Sequence, residues 1–111
     1  MKGKATKPCS SSEALKNRVR RWSERIGVAV NQVHIRPMTT KWASCSTTGR
    51  VTLADDVLSL NRKLQDYVIV HELLHLRVPN HGKLWKTLMR VYVGDYEKLE
   101  NKLKSSVTRT S

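Results

Sequence analysis

With 111 residues the chain is long enough for one domain that buries roughly two thirds of its unfolded surface without disulfide staples. Cys9 and Cys45 lack Cys-x-x-Cys spacing, which excludes a disulfide scaffold or a cysteine finger and fits a reducing compartment; no apolar run reaches membrane-spanning length. The net charge of +12 favours polyanionic surroundings, yet glycine-aromatic nucleic-acid motifs are absent, so the charge by itself implies non-specific attraction to nucleic acid.

Residues 1–10 are polar and lysine-rich, without the apolar core of a signal peptide, and are expected to form a mobile leader on a soluble, cytoplasmic protein. Ser10 and Glu13 make a capping box for a first helix, along which Leu15, Val19, Trp22 and Ile26 form one apolar stripe until Gly27 ends it. Val33-His34-Ile35-Arg36 alternates as a strand and points His34 away from its apolar neighbours. A second strand is expected over residues 42–46 and, after the small polar loop 47–50, a third around 51–53. Asn61 is placed to cap a helix running to about Arg77, followed by a helix from about His81 to Tyr92; beyond Gly94 a last helix carries Tyr96, Leu99 and Leu103 on one side. Residues 105–111 read as a frayed tail. One helix, a small three-stranded sheet and then helices make an α+β architecture, a single domain over residues 11–104, expected as a monomer.

Three of the four histidines, His71, His75 and His81, fall within eleven residues. Residues four apart share one helix face, so His71 and His75 aim two imidazoles at one metal ion, and Glu72 between them is placed to take a proton from a water activated by that metal. His81 lies six residues beyond His75, and six steps of about 100° would carry it roughly 240° around a continuous helix. The helix must therefore break. Pro79 disfavours helical φ/ψ at Val78 and offers no N–H, and Asn80 is an effective N-cap for a second helix that swings His81 back. Three imidazoles and one water form the open tetrahedral zinc site used for catalysis, whereas closed four-ligand sites are structural. Histidines on an apolar helix can also be plain core residues. Here Tyr67, Val68, Ile69, Val70, Leu73, Leu74 and Leu76 make the helix apolar on most sides, so its imidazoles and carboxylate need a shared partner, and Zn2+ is the expected one.

Thr40-Lys41-Trp42-Ala43-Ser44-Cys45-Ser46, the Gly49 turn, Val70-His71-Glu72-Leu73-Leu74-His75-Leu76 and Pro79-Asn80-His81-Gly82-Lys83-Leu84-Trp85 together resemble the YgjP-like metal-dependent hydrolases, zincin-fold relatives of the WLM and SprT-like metallopeptidases. The resemblance covers about the last two thirds of the chain and implies His71, His75 and His81 as zinc ligands, Glu72 as catalytic base and a peptide or protein as substrate. It also implies that the strand around residues 42–46 forms one wall of the cleft. Ala43 stands where the family usually has glycine, and many members carry an additional β-rich amino-terminal half, so the chain reads as a minimal form or a fragment.

Other residues carry secondary expectations. The Cys45 thiolate could reach zinc and hold an enzyme latent, although small strand residues usually serve packing. Tyr67, one turn before His71, could donate to a developing oxyanion, with a core role as the plainer reading. Arg77 and Asn80 flank the third ligand and either could steady substrate. The leading reading is a zinc-dependent peptidase. One rival is a phosphoanhydride hydrolase acting on nucleotides, favoured by a basic cleft; the other is a basic nucleic-acid or partner-binding module with a structural metal, favoured by Lys16, Arg18, Arg20, Arg21 and Arg25 on the first helix and by Lys98, Lys102, Lys104 and Arg109 on the last.

Overall fold

The central element is a helix buried nearly all round. In the computed structural model, which describes residues 12–78 and 82–106, Leu64, Tyr67 through Leu74 and thus nine positions of the helix α2 (Arg62–Arg77) are buried. An unbroken buried run of this kind suits a helix with neighbours on every side rather than one surface stripe. Its neighbours are α1 (Ser12–Ile26), α3 (Lys83–Val93), α4 (Tyr96–Ser106) and the strand β2 (Ala43–Cys45). Asn61 caps α2 as its sequence position predicts, its side chain accepting the N–H of Leu64 at 2.9 Å.

The sheet contains β1 (Gln32–Arg36), β2 and β3 (Arg50–Ala54) in the order β1-β3-β2, with β1 parallel and β2 antiparallel to β3. His34 is exposed while Val33 is buried, so it does face away from the core. The strand expected over residues 42–46 contracts to three residues. Trp42 contributes its carbonyl, which accepts the N–H of Ala54 at 2.8 Å, and the N–H of Ser46 already closes the turn onto the Arg50 carbonyl at 2.9 Å. Gly49 makes that turn possible: its φ is +96°, and a Cβ there would come within 3.0 Å of the Ala29 carbonyl. Between β3 and α2 lies a short 3-10 helix, Asp55–Ser59, which the sequence pattern does not announce; Gln65 ties it to α2 by donating to the Val57 carbonyl at 2.9 Å.

Leu15, Val19 and Ile26 bury the stripe of α1, while Trp22 remains partly exposed. The helix ends at Gly27, φ +85°, whose N–H returns to the Ser23 carbonyl. The Ser10 cap lies outside the described residues. In α4, Tyr96 and Leu103 are buried and Leu99 partly so. That helix continues to Ser106, past residue 105 where the tail was expected to begin.

Candidate metal centre

His71 and His75 stand on consecutive turns of α2 with ring centroids 5.0 Å apart and planes at 74°. This is the stacking that a four-residue separation on one helix face imposes. One donor atom from each of His71, Glu72 and His75 lies within 4.8 Å of the others, the scale on which an ion bonded to imidazoles at about 2.0–2.1 Å gathers its ligands. His71 and Glu72 are 5% and 4% exposed, whereas His75 lies at the partly open edge of the cluster.

Glu72 tests whether such an ion fits. Its Oε2 is buried, accepts no hydrogen bond from the chain and lies 3.4 Å from Nδ1 of His71. A buried carboxylate oxygen without a donor is costly, and a water brought in by a cation supplies the missing donor. Two imidazoles with a carboxylate beside them fit a first-row divalent metal ion.

Aromatic rings wall the cluster. Trp85, 4% exposed, sits 5.1 Å from the His71 ring in an edge-to-face contact and 6.2 Å from the His75 ring in a stacked one. Tyr67 approaches His71 from the preceding turn at 5.6 Å, and Tyr96 backs Trp85 at 5.8 Å. The packing roles of Trp85 and Tyr96 escaped the sequence analysis. The available signal was the position of Trp85 in α3, the helix that must fold back over the two imidazoles. Burial, followed by the nearby Glu100, Tyr96 and Glu72, raises the pKa of Tyr67, so its phenol keeps its proton.

α2 stops at Arg77, with Val78 in an extended conformation before the proline. His81, Pro79 and Asn80 lie outside the described residues. The next helix starts at Lys83 and its N-cap is Gly82, without a side-chain cap, rather than the expected Asn80. Arg77 does not turn toward the cluster: its guanidinium donates to the Ile26 carbonyl at the end of α1. A cation there satisfies carbonyls that the helix leaves open.

Cys45 shares a strand face with Ala43, opposite the buried Val51 and Leu53. Desolvation, then the charge of Glu72, pushes its thiol up to about 11. It is therefore close enough to feel the carboxylate, and the thiol is its resting form at neutral pH.

The sequence profile of the YgjP-like metallopeptidase domain matches residues 9–106. Two solved structures are similar to this one. The metallopeptidase zymogen abylysin of Pyrococcus abyssi is 24% identical, with a TM-score of 0.73 over 86% of this chain and 97% of that one. The metallopeptidase zymogen jannalysin of Methanocaldococcus jannaschii is 27% identical, with a TM-score of 0.73 over 83% of this chain and 95% of that one. A comparison with curated proteins finds no match. No helix among the described residues is long and apolar enough to cross a membrane.

Proposed function

Since this chain belongs to the YgjP-like metallopeptidase domain family, we propose that it hydrolyses peptide bonds at a zinc ion held by His71, His75 and His81, with Glu72 as general base. The observation that carries this reading is the buried Oε2 of Glu72, lacking a hydrogen-bond donor and grouped with two imidazoles within 4.8 Å. His81 supplies the third imidazole. Its support is the packing of Trp85 against both other rings, which starts α3 beside the ligating face of α2.

When bound, zinc supplies the Lewis acidity that brings the pKa of water toward ~7 and polarises the scissile carbonyl. Glu72 takes the proton of the attacking water and delivers it to the departing amine nitrogen. Trp85 and Tyr67 exclude bulk water from the buried side of the imidazole pair. The substrate lies extended along β2, the strand that packs on α2 and ends the β1-β3-β2 sheet. Main-chain hydrogen bonds to an edge strand recognise a peptide whatever its side chains. This favours peptides over nucleotides, whose hydrolysis would gain nothing from a strand edge beside the cleft.

Replacing Glu72 by Gln keeps the imidazoles and removes the base. The variant is expected to retain zinc while its turnover of denatured casein falls by about 10²–10⁴-fold. Turnover at the full rate would refute the role of Glu72.

A further inference from the structure

On the side of α2 away from the histidines, Arg18, Arg21, Trp22, Arg25, Arg62 and Asp66 line a groove of about 240 Å³. The single carboxylate is already committed: Arg18 pairs with Asp66, which also accepts the indole N–H of Trp22 at 3.0 Å. Among the described residues no ion pair engages Arg21, Arg25 or Arg62, and all three are exposed. The guanidinium of Arg25 lies 4.6 Å over the Trp22 ring, and Tyr92 meets that ring edge-on at 6.0 Å. Cations in a groove call for an anion. An aromatic ring and a stacked guanidinium among them call for one that carries flat bases.

We infer that this groove binds the backbone of a single-stranded nucleic acid, Arg21, Arg25 and Arg62 holding phosphates while a base stacks on the Trp22–Arg25 platform. An acidic polypeptide would satisfy the arginines and leave the platform without a purpose. The groove is independent of the metal centre: nine residues separate Arg62 from His71, about 14 Å along the helix axis, and Asp66 and His71 stand roughly 140° apart around it. A strand bound here leaves the cleft beside β2 open, so the domain can sit on a nucleic acid and still receive a polypeptide.

The test is binding of a fluorescein-labelled oligothymidylate of about 20 nucleotides, longer than the ~4–16 nucleotides of typical single-strand sites, to the full chain across a salt series. Three phosphate contacts predict a slope of log affinity against log salt of about −2, and Arg21→Gln with Arg62→Gln should weaken binding at least tenfold and flatten the slope by about 1.4. Because Trp42 and Trp85 are each 4% exposed, quenching of tryptophan emission on binding reports Trp22. The inference is overturned if the oligonucleotide does not bind at low salt or binds without quenching. It is equally overturned if polyglutamate competes as well as unlabelled oligonucleotide, or if Arg36→Gln with Lys104→Gln, an equal loss of charge elsewhere, weakens binding as much. Peptide hydrolysis should be unchanged in Arg21→Gln with Arg62→Gln, which separates this site from the cleft.

Discussion

Cys45 shows how one residue is governed by its neighbours. Sequence spacing left two readings of its thiol, a packing group or a latent metal ligand. Burial and the negative charge of Glu72 raise its pKa from 9.0 to about 11, so the folded chain holds the proton over an interval in which the unfolded chain has lost it. Ionisation therefore favours the unfolded state between these two values, and the contribution of Cys45 to stability is complete below 9.0 and lost as pH rises through about 11. In a Cys9→Ser background stripped of metal, alkylation by iodoacetamide should rise with a midpoint near pH 11. A midpoint at or below 9.0, the ordinary value, would show that neither burial nor the carboxylate holds the proton and would reopen the ligand role.

At the scale of elements, α2 was the most legible part of the chain because three signals agreed. Asn61 marks its start, the apolar residues Val68, Ile69, Val70, Leu73 and Leu74 its burial, and the proline its end. Capping here is a local hydrogen bond, visible as residue type and position. Asn61→Ala removes the acceptor for the Leu64 N–H and should cost about 1 kcal/mol in urea unfolding; an unchanged midpoint would mean that water replaces the cap freely. The illegible elements depend on distant partners. The 3-10 helix at Asp55–Ser59 is held by Gln65, which already belongs to α2 and donates back to the Val57 carbonyl. Gly82 rather than Asn80 stands at the N-cap of α3, because side-chain preference places a helix boundary only to within a residue or two. Trp42 has a strand-forming side chain, yet it meets β3 through its carbonyl, which accepts the Ala54 N–H, and the paired register starts at Ala43. The same dependence on packing hid the contacts of Trp85 and Tyr96 at the metal centre, while the spacing of His71, Glu72 and His75 revealed their common face directly.

Across the whole molecule, α2 separates two chemistries. One side gathers imidazoles and a carboxylate against aromatic rings; the other carries a groove with four arginines and a single carboxylate. This partition explains why a strongly basic chain need not place phosphate chemistry in its cleft. It also makes the proposed hydrolysis and the inferred strand binding separable by mutation. Everything assigned to the cleft depends on one divalent cation bound by imidazoles, and the direct test is the zinc content of the purified chain and of His75→Ala by elemental analysis after dialysis. The account predicts about one zinc per chain in the unaltered protein, as an open three-histidine site requires, and nearly none in the variant. Full zinc retention by folded His75→Ala would contradict it.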